Sequence, residues 1–314
     1  MKNGSKLIIV VPCYNESEVF ENTHLTLQSV INELIVDELI SDNSGIFYVD
    51  DGSKDDTWEK IAHVCKMEGS GGLKLSRNCG HQVAVIAGLQ EVDADAVITI
   101  DADLQDDVKA IKEMVIKFNE GFDVVYGVRD DRTTDSFFKR QSAKAFYNLM
   151  SKIGVEQINN HADFRLLSRR AKEALLSYKE SNLYLRGIVP TIGFKTSIVY
   201  YKRLERLAGQ SKYPFRKMLA LAVQGITSNT VFPLRAIAFI GLLISFTSFL
   251  FLIFIILNKL FGNTFPGWAS ISAGIYFLGG VQMFSIGIIG EYVGKIYIET
   301  KKRPRYFIEN KYDV

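Results

Sequence analysis

The sequence predicts an α/β domain with a mostly parallel sheet, followed by two helices that cross a membrane. In the first part of the chain, short apolar runs alternate with amphipathic stretches, and polar clusters follow the apolar runs. The last third of the 314 residues contains two long segments without charge. Alternating strand and helix patterns are typical of a parallel sheet that is covered by helices on both faces.

The predicted strands are short apolar runs. They are residues 7–11, 46–49, 73–75, 96–100 and 124–126. Between them, apolar residues recur at intervals of three and four, the spacing of amphipathic helices. The predicted helices are residues 17–36, 57–67, 82–91 and 108–119. Ligands of such sheets bind beyond the carboxyl ends of the strands.

Polar clusters follow the first four predicted strands, at residues 12–16, 50–57, 77–81 and 101–106. Turns and helix caps explain any one cluster taken alone. Four clusters at successive strand ends predict a binding site at one edge of the sheet. Within the last cluster, Asp101 and Asp103 are oxygen ligands of the kind that suits Mg²⁺ or Mn²⁺ beside nucleotide phosphates.

Several functional classes are disfavoured. No G-x-G-x-x-G follows a strand and no G-x-x-x-x-G-K-[ST] occurs, so the dinucleotide and P-loop phosphate sites are missing. A net charge of +2 gives no reason to expect a nucleic acid partner. Cys13, Cys65 and Cys79 have neither disulfide nor zinc spacing. Without a glycine-rich phosphate loop, a metal must hold any diphosphate.

Residues 236–258 and 260–290 carry no charge, and each segment can cross a hydrocarbon core of about 30 Å. We predict transmembrane helices at about 236–258 and 268–290. Buried core helices are the alternative, but soluble helices of this length normally carry a polar stripe. Basic residues concentrate before the first segment and after the second, so the positive-inside rule places both termini in the cytoplasm. This predicts a multi-pass protein of the inner (plasma) membrane whose large N-terminal domain is cytoplasmic.

These patterns divide the chain into four parts. We expect an α/β domain that carries the predicted binding site at 1–210, a juxtamembrane amphipathic segment at 211–234, a two-helix hairpin at 235–291 and a basic cytoplasmic tail at 292–314. The amphipathic segment mixes basic and apolar residues, which favours a helix lying at the membrane surface, although a plain linker is the alternative.

The chain resembles family 2 glycosyltransferases of the GT-A fold in four segments, which read VVPCYNE, VDDGSKDDT, LSRNCGHQVAVIAGL and DADLQD. Residues 163–165, residues 209–213 and the two apolar segments resemble the polyprenyl-phosphate branch. That branch includes bactoprenol glucosyltransferases and dolichol-phosphate mannose synthases. The resemblance implies a Rossmann-like GT-A domain, a metal (Mg²⁺ or Mn²⁺), and inverting transfer of one sugar to a polyprenyl phosphate.

The resemblance also implies roles for individual residues. Nucleotide-binding positions are Pro12, Tyr14, Glu16, Asp51, Asp101, Arg206, Ser211 and Lys212, with Tyr14 beside the base. The metal positions are Asp101, Asp103 and Gln105. The acceptor-phosphate positions are Arg129, Arg140 and Lys144. The catalytic positions are Asp163, Asp103 and Arg165.

Asp163 matches the general base of GT-A enzymes that glycosylate hydroxyls. A phosphate monoester has its second pKa near 6, so a lipid phosphate is largely ionised at neutral pH and needs little base catalysis. We therefore predict that Asp163 mainly orients Arg165 or the acceptor.

The predicted donor is a UDP-sugar, carrying glucose or N-acetylglucosamine, and GDP-mannose is the alternative. A processive polysaccharide synthase would have more spans and a Q-x-x-R-W motif, which the sequence lacks. A catalytically dead membrane scaffold would have lost its acidic residues, which are intact here. The resemblance implies a homo-oligomer, and a flippase and a second glycosyltransferase that pass the lipid-linked sugar to cell-envelope glycans.

Overall fold

The computed structural model of the chain describes residues 4–68, 70–130, 161–180, 184–202, 231–260 and 267–313. The chain divides into two compact units. The first unit holds residues 1–152, 156–213 and 303–314, and the second holds residues 153–155 and 214–302.

The described part of the first unit contains eight strands and six helices. The strands are β1 (Leu7–Cys13), β2 (Gly45–Asp50), β3 (Gly71–Leu75), β4 (Ala96–Thr99), β5 (Val124–Arg129), β6 (His161–Ser168), β7 (Thr196–Tyr201) and β8 (Ile308–Tyr312). The helices are α1 (Phe20–Val36), α2 (Thr57–Glu68), α3 (His81–Glu91), α4 (Ala110–Asn119), α5 (Arg169–Ser177) and α6 (Leu185–Thr191).

All eight strands form one sheet in the order β7-β5-β6-β4-β1-β2-β3-β8. Strands β1 to β5 and β7 are parallel, and β6 and β8 run antiparallel to their neighbours. Every residue of β1 is buried, because alternate side chains enter two hydrophobic clusters on opposite faces of the sheet. The predicted mostly parallel α/β fold is confirmed.

Strands β6 and β7 were not among the predicted elements. Strand β6 alternates polar and apolar residues from His161 to Leu166, a two-residue period that is typical of a strand. Strand β6 lies between β4 and β5, so its polar residues are carried by an interior strand of the sheet.

Residues 292–314, which we predict to be a basic tail, contain the end of a helix and a strand. Residues 292–301 continue a helix, and β8 pairs antiparallel with β3, with Leu73 opposite Lys311. The ammonium group of Lys311 lies 3.0 Å from a carboxylate oxygen of Glu91. The rings of Trp58 and Tyr312 stack with centroids 5.9 Å apart. The C-terminal segment therefore completes the edge of the eight-stranded sheet.

The described part of the second unit contains helices α7 (Phe232–Leu260) and α8 (Trp268–Lys301). Each holds a segment long and apolar enough to cross a membrane, Phe232–Leu250 and Phe277–Lys301. Helix α7 begins at Phe232, inside the predicted amphipathic segment 211–234, most of which lies outside the described residues. Helix α8 extends past the predicted end at 290, because Glu291 and Lys295 do not interrupt the helix.

Candidate active site

The loops that follow β1 and β2 are joined by hydrogen bonds at the carboxyl edge of the sheet. The Asn15 amide donates to Oγ of Ser53 at 2.9 Å, and the Glu16 amide donates to Oγ1 of Thr57 at 2.9 Å. Several polar residues of the VDDGSKDDT segment therefore hold the loops together. Beside them, Tyr14 is 41% exposed and can offer its ring to a ligand.

Asp51 connects the end of β2 to the loop that follows β3. Its two carboxylate oxygens accept the backbone amides of Cys79 at 2.6 Å and Gly80 at 2.9 Å. Gly52 has φ of +67°, and a Cβ there would lie 2.5 Å from the carbonyl carbon of Arg77. Burial raises the pKa of Asp51. Each carboxylate oxygen has further lone pairs, so a nucleotide contact is compatible with this anchoring role.

The acidic loop, residues 101–106, follows β4 and has a constrained backbone. Leu104 has φ of +44°, an uncommon conformation for a residue with a side chain. The hydroxyl of Thr23 donates to the carbonyl of Ala102 at 2.6 Å, which ties the loop to α1. A carboxylate oxygen of Asp103 accepts the Gln105 amide at 3.3 Å. One hydrogen bond within the loop and one from α1 therefore fix its conformation.

Asp101 lies at the start of the acidic loop, and its pKa is raised to about 6. Burial is the main cause, and the charges of Asp163, Asp106 and Asp103 add to it. His81 opposes the shift, with Nε2 lying 3.5 Å from Oδ1 of Asp101. Four carboxylates therefore crowd this edge of the sheet.

The donor types of Asp101, Asp103 and Gln105 fit a hard divalent cation, because all three side chains offer oxygen. A cation would also relieve the repulsion that raises the pKa of Asp101. Within the described ranges, no group of three or more His, Cys, Asp or Glu side chains is arranged to hold a metal. A cation bound by Asp101 and Asp103 would take its other oxygen ligands from the Gln105 side chain, water or substrate.

Asp163 is surrounded by basic side chains. Oδ1 accepts from Nη2 of Arg165 at 2.6 Å, and Arg186 donates through Nη2 to Oδ2 at 3.0 Å and through Nε to Oδ1 at 3.3 Å. His81 Nε2 lies 3.8 Å from Oδ2. Burial alone would raise the pKa of Asp163, but Arg165 and Arg186 outweigh it and hold the pKa well below its usual range. Asp163 therefore stays ionised, which makes it a poor general base.

Arg129 is held by Asp106 and Tyr201. Nη2 and Nε of Arg129 donate to Oδ1 of Asp106 at 2.9 Å and 3.2 Å, and the Tyr201 hydroxyl donates to the same oxygen at 2.5 Å. Asp106 and Tyr201 are buried, whereas the Arg129 side chain is 28% exposed. This arrangement fixes the direction of the Arg129 guanidinium.

The structure brings some predicted site residues together and does not describe others. Those at one edge of the sheet are Tyr14, Glu16, Asp51, Asp101, Asp103, Gln105, Arg129, Asp163 and Arg165. Pro12 is buried within β1. Five predicted residues lie outside the described ranges, namely Arg140, Lys144, Arg206, Ser211 and Lys212.

Sequence reasoning assigned no role to Arg186, His81, Asp106 or Tyr201. His81 and Asp106 belong to the recognised segments and could have been found there. A charged residue between Leu185 and Gly187, in an otherwise apolar run, was the available signal for Arg186. Tyr201 had no such signal, because its role depends on the pairing of β7 with β5.

Comparisons with known proteins identify the family of the chain. Residues 8–176 match the model of glycosyl transferase family 2. The uncharacterized glycosyltransferase YkoT of Bacillus subtilis (strain 168) is 51% identical over 306 residues, which cover 96% of this chain and 91% of that protein.

Two further relatives have more specific names. A prophage bactoprenol glucosyl transferase homolog of Escherichia coli (strain K12) is 41% identical over 308 residues, covering 97% of this chain and 98% of that protein. The bactoprenol glucosyl transferase of Shigella phage SfX is 41% identical over 310 residues, covering 98% and 99%. The match to the family model and these full-length likenesses confirm the resemblance, and the chain belongs to the family 2 glycosyltransferases, with a GT-A fold.

Proposed function

We propose that the chain transfers one glucose from UDP-glucose to undecaprenyl phosphate, with inversion at the anomeric carbon. Likeness to bactoprenol glucosyl transferases over nearly the whole chain supports both the lipid acceptor and glucose as the sugar. It also makes glucose a better candidate than N-acetylglucosamine. Both substrates carry phosphate, so the site must accommodate two anions close to each other.

The observation that carries the proposal is the pairing of Asp163 with two arginines. A hydroxyl acceptor needs a base to remove its proton, and the low pKa of Asp163 makes it a weak one. A phosphate acceptor brings its own negative charge, because its second pKa is near 6. Two guanidinium groups beside Asp163 suit such an acceptor. An anionic nucleophile therefore fits this site better than an alcohol.

On the donor side, we assign Asp101, Asp103 and Gln105 to a divalent cation, either Mg²⁺ or Mn²⁺. When bound, the cation would stabilise the departing nucleoside diphosphate as a Lewis acid. The exposed ring of Tyr14 would flank the base, and Asp51 would accept a hydrogen bond from the nucleoside. Glu16, and Pro12 at the end of β1, would border the same pocket.

On the acceptor side, we assign Arg129, Arg140 and Lys144 to the lipid phosphate. Two anions about 4 Å apart repel each other by several kcal/mol at an intermediate dielectric, so cations must intervene. The fixed direction and partial exposure of the Arg129 side chain support this role. Arg206, Ser211 and Lys212 would close over the donor.

The two apolar helices would anchor the enzyme where a polyprenyl phosphate is available. Basic residues before α7 and after the apolar part of α8 favour cytoplasmic placement of the catalytic unit and both termini. The lipid-linked glucose would then require a flippase and a second glycosyltransferase acting across the membrane. We also expect a homo-oligomer.

The test uses membranes that contain the full-length chain, with undecaprenyl phosphate, Mn²⁺ or Mg²⁺ and one nucleotide sugar at a time. Mass spectrometry should detect a hexosyl lipid with UDP-glucose and little product with UDP-N-acetylglucosamine or GDP-mannose. The main alternative is a GDP-mannose-dependent mannosyltransferase, and product from GDP-mannose alone would establish it. An Asp103→Ala variant serves as the inactive control.

A further inference from the structure

Arg186 is the most exposed of three charged residues in contact, Asp163, Arg165 and Arg186. Its side chain is 40% exposed, whereas those of Asp163 and Arg165 are 14% and 3% exposed. Arg186 contacts both oxygens of the Asp163 carboxylate. Its side chain is therefore partly accessible, while the contact with Asp163 sets its direction.

The backbone next to Arg186 is held from two sides. The Leu185 amide donates to Oε1 of Gln82 in α3 at 3.2 Å. The Leu185 carbonyl accepts from Nη1 of the buried Arg165 in β6 at 3.4 Å. A side chain carried on a fixed backbone loses less freedom when it binds a ligand. The start of α6 thus presents Arg186 from a rigid support.

The charges of this group are unequal. Arg165 and Arg186 carry two positive charges and Asp163 carries one negative charge, so the three together are positive. Arg165 pairs with the same carboxylate, at a distance of 2.6 Å. A guanidinium presents a planar set of donors that matches the oxygens of a phosphate. The two guanidinium groups, one of them partly exposed, favour an anionic ligand beside them.

A chain of contacts runs from Asp101 through His81 and Asp163 to Arg186. The steps are 3.5 Å from Asp101 to His81, 3.8 Å from His81 to Asp163 and 3.0 Å from Asp163 to Arg186. Asp101 belongs to the carboxylate end, where a cation and the donor diphosphate are expected. Arg186 is at the opposite, cationic end. An anionic acceptor is better placed at the cationic end than beside the carboxylates.

We propose that Arg186 binds the phosphate of the acceptor, with Asp163 as the residue that positions it. This inference rests on the proposed function, because it requires a lipid phosphate acceptor. It adds a phosphate ligand that is distant in sequence from Arg129, Arg140 and Lys144.

The test compares three variants of the full-length chain in detergent, Arg186→Gln, Arg186→Lys and Arg170→Gln. Arg170 is the matched control, since it is an exposed arginine paired with the buried Asp123, on α5. We expect Arg186→Gln to raise the KM for undecaprenyl phosphate about 10- to 100-fold, the range for a lost charge-assisted hydrogen bond. The KM for UDP-glucose should not change. Arg186→Lys should restore part of the lipid affinity, and Arg170→Gln should leave both KM values unchanged.

An unchanged lipid KM in Arg186→Gln, or an increase confined to the UDP-glucose KM, would overturn the inference. If thermal unfolding shows that Arg186→Gln does not fold, Arg186→Lys takes its place. An unchanged lipid KM in Arg186→Lys, or an increase confined to the UDP-glucose KM, would then overturn the inference. The wild-type chain separates this inference from the proposed function. Absence of hexosyl lipid in the wild type refutes the function, whereas an active wild type with no KM effect at Arg186 refutes only the role of Arg186.

Discussion

Nη2 of Arg165 lies 2.6 Å from Oδ1 of Asp163, and Arg165 is almost completely buried in β6. This contact, with that of Arg186, makes Asp163 a permanently charged group at neutral pH. Asp163 therefore serves as the ion-pair partner of two guanidinium groups rather than as a residue that exchanges protons. The acceptor must then be an anion itself, because Asp163 does not remove its proton.

We expect Asp163→Asn to retain residual turnover that increases with pH. Loss of the carboxylate would loosen Arg165 and Arg186 and lower turnover at every pH. The remaining activity should rise through about pH 6, where the lipid phosphate takes its second negative charge. Initial rates measured from about pH 5.5 to about pH 9 would test this. Complete loss at all pH values with intact lipid binding would show that Asp163 acts as a base.

Asp101→Asn should stabilise the metal-free protein above about pH 6. The pKa of Asp101 is raised to about 6, so the folded chain holds this proton more tightly than the unfolded chain does. Stability therefore falls as pH rises from about 4 to about 6 and does not recover above it. We expect the Tm of the variant to exceed that of the wild type by about 2–4 °C at pH 8 and by much less at pH 4.

Thermal unfolding with and without Mn²⁺ provides the control for this prediction. The cation should raise the Tm of the wild type more than that of Asp101→Asn. A lower Tm for the metal-free variant at pH 8 would mean that Asp101 is not repelled by its neighbours.

Removal of the Tyr201 hydroxyl should weaken the support of Arg129. Tyr201→Phe loses one hydrogen bond to Asp106 and should lower the free energy of unfolding by about 1 kcal/mol. Asp106→Ala leaves Arg129 without its carboxylate partner and should cost about 2–3 kcal/mol. Both variants should also raise the KM for undecaprenyl phosphate, with the larger increase in Asp106→Ala. Equal stability losses, or a KM effect on UDP-glucose alone, would contradict this role.

Truncation before residue 303 should destabilise the catalytic unit, because it removes β8 and exposes the edge of β3. We expect a loss on the order of 2–4 kcal/mol from the missing strand hydrogen bonds. The fluorescence of Trp58, which stacks on Tyr312, should change as well. Lys311→Glu is the control, since the partly exposed ion pair with Glu91 should contribute less than about 1 kcal/mol. Comparable losses in both variants would show that ion pairs, not strand pairing, hold β8.

The five predicted strands and four predicted helices are present in the fold because their periodicity is local. Strands β6 to β8 were missed for a different reason. Strand β6 is polar on one side because Asp163 and Arg165 belong to the site, and β8 is far in sequence from its partner β3. The contact of Arg186 with Asp163 joins residues 23 apart. Nothing in the local sequence around either residue specifies such a contact.

The anomeric configuration and phosphate count of the lipid product test the central claim most directly. Purified protein, UDP-glucose and undecaprenyl phosphate should give a lipid with one phosphate and one glucose, with the configuration opposite to that in UDP-glucose. Mass spectrometry gives the phosphate count, and the coupling constant of the anomeric proton gives the configuration. A product with retained configuration, a lipid diphosphate, or no hexosyl lipid with UDP-glucose would contradict direct attack by the lipid phosphate.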